Sequence, residues 1–187
     1  MAATTIKRIG YGQVEPNHLS AQRTGQIYAQ LPAKVDTVTP ANTITQLENG
    51  QFVKYDYANN EVNFTGAGEW MLVFNEVKLY DGLRETYKDF AQKTTDAMGG
   101  KIYPRVFKTN IGDIYTTNCV GGAGAKDVEY AGIALDVDDK LIVNTTTGFL
   151  VKAADAAAVT AAPMAWQVVK VYTMADGQAA VKIMRIK

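Results

Sequence analysis

The sequence predicts a mainly β protein, an antiparallel β-barrel or sandwich with an extended N-terminal arm and one short helix. From Ile102 onward, turn signals recur at about every 8 to 12 residues, a spacing typical of all-β sandwiches and barrels. The chain ends in two runs rich in Val, Ile, Tyr and Trp on either side of Asp176-Gly177, a strong hairpin signal. Residues 1–33 contain isolated apolar residues without a sustained period, which favours an arm over a packed element.

Composition limits the classes of function. The chain has 187 residues, of which 47% are hydrophobic and 20% are charged, so it can bury a sizeable core. Lys plus Arg and Asp plus Glu number 19 each, and this zero formal charge argues against a nucleic-acid binder that neutralises phosphates. No apolar run approaches the roughly 20 residues of a membrane span, and the N-terminus lacks the apolar core of a signal peptide.

Chemically reactive side chains are scarce. The sequence has one Cys (Cys119), one His (His18) and one Ser (Ser20), so it predicts no internal disulfide, no zinc site and no Ser-His-Asp triad. A single Cys fits folding in a reducing cytoplasm. Cys119 is interpreted as a small buried residue rather than a reactive thiol, because no base lies near it in the sequence.

Three other patterns carry no chemistry. The stretch VGGAGAKD lacks the Gly-Lys-Ser/Thr ending of a phosphate loop. Asp136, Asp138 and Asp139 lack the Gly and terminal Glu of a calcium loop, so a strand end and tight turn are predicted there. The acidic residues Glu48, Glu61, Glu69 and Glu76 show no spacing that dictates catalysis. The sequence therefore predicts no enzyme, no cofactor and no metal.

Two regions are predicted, an arm over residues 1–33 and a β-rich body over residues 34–187. The arm is locally basic and carries apolar anchors, so it is predicted to lie across a partner; an ordinary flexible terminus is the alternative. The residues predicted to make these contacts are Ile6, Arg8, Ile9, Tyr11, Gln13, Arg23, Ile27, Tyr28 and Leu31.

The first half of the body predicts strands separated by turns. A strand is predicted at 34–39, ended by Pro40, and a hairpin around Asn49-Gly50 joins strands at 44–47 and 52–57. Asn59-Asn60 predicts the next turn. The continuously apolar run 70–74 is typical of a strand buried on both faces.

A helical insertion is predicted at 82–100, because Leu83, Tyr87, Phe90 and Ala91 recur at helical spacing before Gly99-Gly100. A loop with one helical turn is the alternative. The Ala-rich stretch 153–163 predicts a short helix or a surface loop.

The C-terminal hairpin spans 164–187. A two-residue type I′ turn at Asp176-Gly177 would pair Met174 with Ala179, Tyr172 with Val181 and Val169 with Met184. Lys170 and Lys182 then lie on opposite faces. The face predicted to contact another copy contains Trp166, Val168, Tyr172, Val181 and Ile183. An inner strand pair of a small barrel is the alternative.

Several segments resemble the small structural proteins of tailed bacteriophages, specifically capsid decoration (head-stabilising, cement-type) proteins. The segments are NGQFVKYD, GEWMLVFNEVKLYD, GDIYTTN and VVKVYTMADGQAAVKIMRIK. The resemblance is one of general style across most of the chain. It implies a structural virion protein, made in the host cytoplasm, that binds and stabilises the outer surface of an assembled capsid.

The resemblance also implies the partners. They are the major capsid protein, bridged by the N-terminal arm, and further copies of this chain, with a trimer expected. The alternatives are a head-fibre base, a tail-tube or head-completion protein, or a carbohydrate- or host-surface-binding β module. No nucleic-acid partner and no membrane are expected.

Overall fold

A computed structural model describes residues 3–8, 10–14, 31–75, 90–122 and 132–187. Its thirteen strands and one α-helix are short, and three 3₁₀ turns lie at Pro40–Asn42, Thr94–Asp96 and Met98–Gly100. In chain order the elements are β1 (Thr4–Ile6), β2 (Gln46–Glu48), β3 (Phe52–Asp56), β4 (Glu61–Asn63), β5 (Trp70–Val73), β6 (Ala91–Lys93), β7 (Val106–Phe107), β8 (Ile114–Thr117), β9 (Ile133–Leu135), β10 (Lys140–Val143), β11 (Leu150–Lys152), α1 (Ala156–Ala161), β12 (Ala165–Thr173) and β13 (Ala179–Arg185).

The predicted fold class is confirmed, since 39% of the described residues are strand and 10% are helix, with antiparallel sheets and one short α-helix among them. A four-stranded sheet has the order β4-β3-β5-β7 and a five-stranded sheet has the order β11-β10-β12-β13-β8. The described ranges also contain two two-stranded sheets, β1-β9 and β2-β6. No sheet closes into a barrel within those ranges, and the architecture is compatible with a sandwich.

The four-stranded sheet is buried on both faces, as its central strand predicted. Trp70 and Leu72 of β5 face a core shared with the five-stranded sheet. Met71 and Val73 alternate with them and face a second core, to which Leu47 and Ile102 also belong. This double burial explains the unbroken apolar run, because a strand covered on one face alternates apolar and polar residues.

The main core lies between the two larger sheets. Trp166 of β12 lies 5.1 Å from the Tyr115 ring and 5.8 Å from the Phe52 ring, measured between centroids. Val168, Val181 and Ile183 of the hairpin are fully buried in the same core, and Val171 and Ala179 pack against it. The alternative prediction, an inner strand pair of a small barrel, is correct in that β12 and β13 are inner strands, but their sheet does not close into a barrel within the described ranges.

The hairpin forms, but in a different register from the predicted one. Its loop has three residues, because the backbone N–H of Met174 donates to the carbonyl of Gln178 at 2.9 Å. Gly177 takes φ +83, whereas Asp176 is absent from the positive-φ residues, so the loop is not a type I′ turn. Tyr172 consequently pairs with Ala180.

A β-bulge at Val169 shifts the register a second time. Val168 pairs with Ile183 and Lys170 pairs with Lys182, so Val169 has no partner in the ladder. The bulge reverses the alternation of side chains between Trp166 and Tyr172. Lys170, Tyr172 and Lys182 therefore share one face, opposite the core.

The described part of the predicted arm belongs to the body. β1 pairs with β9, and Val14 forms an isolated bridge with Thr117 at the edge of the five-stranded sheet. Ile6 and Val14 lie in the main core. The prediction of an arm separate from the body is thus corrected for residues 3–8 and 10–14; position 9 and residues 15–30 lie outside the described residues.

Three predicted elements differ in the described ranges. Residues 34–39 form no strand, because the Asp36 carboxylate accepts hydrogen bonds from the backbone N–H groups of Val38 and Thr39 and bends the chain. The Asn49-Gly50 turn exists, but β2 pairs with β6 instead of β3. In the predicted helix at 82–100, residues 91–93 are a strand; residues 76–89 lie outside the described residues.

Two minor predictions are confirmed. The Ala-rich stretch contains α1, whose N-terminus is capped by the Asp155 carboxylate accepting from the N–H of Ala158 at 2.8 Å. Asp136 and Asp139 form a tight turn, with the N–H of Asp136 donating to the Asp139 carboxylate at 2.8 Å. Within the part of the chain that the structure describes, no helix has the length and apolar character to cross a membrane.

Candidate functional site

The predicted arm contacts that the structure describes are directed into the protein. Ile6 and Arg8 are each 1% exposed, and Tyr11 and Gln13 are each 5% exposed. Leu31 is half-buried against the second core. These positions are therefore corrected from partner contacts to internal ones, while Ile9, Arg23, Ile27 and Tyr28 lie outside the described residues.

Arg8 is held in a buried polar cluster. Its Nη2 lies 3.2 Å from Oε2 of Glu48, and its guanidinium donates to the carbonyls of Asn118 and Gly122 at 3.3 and 2.5 Å. The same Glu48 oxygen accepts from the N–H of Gly12 at 2.6 Å. The cluster ties the N-terminal segment to β2 and to residues 118–122, which is a structural role.

Cys119 lies beside this cluster and is fully buried. Gly12 and Gly50 pack so closely on it that a Cβ at Gly12 would come within 2.5 Å of Sγ. Burial raises the pKa of the Cys119 thiol to about 12, and the neighbouring Arg8 offsets part of this rise. The thiol is thus neutral and enclosed, which does not suit a nucleophile.

Four of the five residues predicted to contact another copy lie in the core. Trp166, Val168, Val181 and Ile183 are all 0% exposed, so the prediction for this face is wrong. These residues are buried because this side of the hairpin packs against the four-stranded sheet. Tyr172 is half-buried and lies on the other side because of the Val169 bulge.

The outer hairpin face is the side of β12 and β13 directed away from the core. Val169 is 37% exposed there, Lys170 is exposed, and the remaining members are half-buried. Ala180 and Thr116, the cross-strand partners of Tyr172 and Lys182, share this side and are buried, so the sheet is covered next to these two residues. We define the outer hairpin face as Gln167, Val169, Lys170, Tyr172, Lys182 and Met184.

Lys170 and Lys182 are directly opposite each other on this face. Their Nζ atoms lie 5.8 and 5.7 Å from the centroid of the Tyr172 ring, within cation–π range. The sequence reveals both lysines, but its simplest register separates them. The bulge could not be predicted from the sequence, because Val169 is a β-branched residue among other residues typical of strands.

A second candidate is a groove between the loop at 41–46 and the turn at 144–148. It consists of two adjoining depressions of about 370 and 330 Å³ that share Thr43, Ile44, Phe64 and Thr146. The turn is rigid, since the Asn144 side chain accepts from the N–H groups of Thr146 and Thr147 at 2.9 and 3.2 Å. Gly148 takes φ +73 against the Phe52 carbonyl.

The groove is rich in hydroxyl groups, and two charged residues, Lys34 and Glu48, lie along it. Thr45, Thr146 and Thr147 are exposed, and their hydroxyls make no hydrogen bond within the described ranges. Glu48 borders the groove, but its carboxylate pairs with Arg8. The half-buried Phe64 supplies an aromatic surface between the two depressions.

No group of three or more His, Cys, Asp or Glu residues suited to a metal ion occurs among the described residues. Comparisons of the chain with protein-family models, curated proteins and solved structures found no match. The candidate sites therefore rest on the geometry of this chain. Of the two, the outer hairpin face combines exposed charge, an aromatic ring and apolar side chains.

Proposed function

We propose that this chain is a structural virion protein of a tailed bacteriophage that binds the outer surface of an assembled capsid and stabilises it. The observation that carries the proposal is the outer hairpin face, where Val169 and Met184 adjoin Lys170, Tyr172 and Lys182. Aromatic, Met and other amphipathic side chains are typical of protein interfaces. The resemblance of several sequence segments to capsid decoration proteins supports the same function.

The contact surface in this proposal differs from the one expected from sequence. The side chains of Arg8, Tyr11 and Gln13 are buried inside the protein. The proposal therefore assigns capsid binding to the outer hairpin face in place of the described N-terminal residues. Many copies on one shell multiply a modest affinity per copy. A homo-oligomer, with a trimer as the expected form, remains a prediction that light scattering of the purified chain can check.

Electron microscopy of particles with and without the protein tests this function. The expected result is additional density over the capsomers and greater resistance of the shell to heat. Density confined to the tail or to the portal vertex would refute capsid decoration and support a tail-tube or head-completion protein. Val169→Asp keeps the buried hairpin face intact and should remove the density, whereas Val38→Asp, at an exposed loop position, should leave it.

The groove favours a second candidate, a carbohydrate-binding module. Exposed threonine hydroxyls and the Phe64 ring offer hydrogen bonds and an apolar surface to a neutral sugar. Trp70 and Trp166 are core residues and cannot serve as stacking platforms. A screen of neutral glycans by ligand-observed NMR tests this candidate, with Thr146→Val expected to weaken any binding and Thr95→Val, outside the groove, expected to leave it unchanged.

A further inference from the structure

The lysine pair at Lys170 and Lys182 is unfavourable for the fold by itself. The two residues are cross-strand partners in β12 and β13, one position beyond the Val169 bulge. Like charges directly opposite each other in an antiparallel pair destabilise it. A negatively charged group near both lysines would offset this repulsion.

No compensating carboxylate is found within the described ranges. The ion pairs there involve Arg8, Lys34, Lys108 and Lys152, and neither Lys170 nor Lys182 lies within 4.0 Å of an acidic group. The nearby Tyr172 ring attracts both ammonium groups through its π face, but it leaves their charge in place. Two positive charges thus converge on one ring at the protein surface.

We propose that the Lys170–Tyr172–Lys182 cluster binds an acidic segment of a protein partner. Carboxylates placed between the two ammonium groups would form charge-assisted hydrogen bonds and relieve the repulsion across the strands. Val169, 37% exposed, and Met184 adjoin the cluster and fit the hydrocarbon parts of a peptide. The identification of that partner as a capsid subunit rests on the proposed function, whereas the acidic chemistry does not.

A protein partner fits better than a nucleic acid. The chain has 19 basic and 19 acidic residues, so it lacks the broad positive field that phosphate binding requires. A pair of cations beside apolar side chains suits a short, discrete acidic motif. Binding through the exposed Lys170 and the half-buried Lys182 should weaken as salt concentration rises.

The test is an NMR titration of the full ¹⁵N-labelled chain with a hexaglutamate peptide at low and high salt. We expect shifts concentrated at residues 169–173 and 180–184, and roughly tenfold weaker binding in Lys182→Glu. Lys101→Glu is the matched control, because it changes net charge equally at an exposed position outside the hairpin. It should leave the affinity within about twofold of the wild type.

Lys182→Glu has a second expected effect that separates binding from folding. It places a carboxylate opposite Lys170, so the melting temperature should equal or exceed that of the wild type. If this variant does not fold, Lys170→Gln provides the same loss of binding with a smaller perturbation. A folded Lys182→Glu protein that has lost the peptide supports the proposal.

Three results would overturn the inference. They are the absence of shifts at the hairpin with hexaglutamate, an equal loss of affinity in Lys101→Glu, and tighter binding of a DNA oligonucleotide at the same residues. Peptide binding without shell binding keeps the inference and refutes the capsid function. If the protein binds shells but not the peptide, and Lys182→Glu leaves shell binding unchanged, the capsid function is supported and the inference is refuted.

Discussion

Arg8 and Glu48 form an ion pair inside the protein, with 3.2 Å between Nη2 and Oε2 and side chains 0% and 1% exposed. The pair joins an N-terminal segment to a strand of the body. Gly12 and Gln46 also donate to the Glu48 carboxylate, at 2.6 and 3.0 Å. A segment fastened in this way is a component of the fold rather than an independent arm.

Replacing one partner should be costly. Arg8→Met leaves the Glu48 carboxylate buried without its cation, so the free energy of unfolding should fall by about 3–5 kcal/mol. Urea denaturation followed by tryptophan fluorescence measures the change. Lys34→Met is the control, because the Lys34–Asp36 pair, 3.6 Å apart, lies at the surface where solvent screens it, so its loss should reduce stability much less. If both variants lose an equally small free energy of unfolding, Arg8 and Glu48 do not form a buried ion pair.

Deleting residues 1–14 should unfold the body. The deletion removes Ile6 and Val14 from the core, each stabilising by roughly 1.5–3 kcal/mol, together with the Arg8 pair. The sum is comparable with the whole stability of a typical domain, about 5–15 kcal/mol. A collapsed ¹H–¹⁵N spectrum of the truncated chain is the expected observation. A well-dispersed spectrum would restore the arm that the sequence predicted.

The sequence predicted those elements whose signals are local. The apolar run at 70–73, the Asn59-Asn60 turn and the C-terminal hairpin all depend on neighbouring residues, and all are present. The pairing of β2 with β6 and of β1 with β9 joins distant segments, and no local pattern specifies it. The role of Arg8 was missed for the same reason, since its partners are distant in sequence.

The hairpin shows how a local signal can identify an element and still misplace its side chains. The three-residue loop and the Val169 bulge each shift the register by one residue. A shift of one residue moves a side chain to the other face of the strand. Lys170 and Tyr172 therefore lie opposite the face of Trp166, on the same side as Lys182.

The two faces of the hairpin should respond differently to substitution. Trp166→Ala removes a fully buried indole and should lower the free energy of unfolding by about 3–5 kcal/mol. Tyr172→Asp, on the outer hairpin face, should keep the near-ultraviolet circular dichroism of the core and reduce stability by less. If Tyr172→Asp unfolds the protein as readily as Trp166→Ala does, the assignment of the outer hairpin face is wrong.

Cys119 should make stability depend on pH above neutrality. Burial raises the folded-state pKa of the thiol to about 12, while an exposed thiol in the unfolded chain has a pKa of roughly 8.5. Between these values the unfolded state binds fewer protons than the folded state, so stability falls as pH rises. From pH 8 to pH 10 the loss attributable to this thiol should be about 1–2 kcal/mol.

Comparison with Cys119→Ala isolates this contribution, apart from the coupling of the thiol to the neighbouring Tyr115. The difference between the free energies of unfolding of the two proteins should change by about 1–2 kcal/mol between pH 8 and pH 10. In addition, the thiol of the folded protein should not react with a disulfide reagent at pH 8. Burial raises the pKa of Tyr115 well above its ordinary value in both proteins, and Cys119→Ala removes only the smaller contribution that Cys119 makes to this rise. Rapid labelling of native Cys119, or parallel pH curves for the two proteins, would show that the thiol is accessible and that the N-terminal segment does not enclose it.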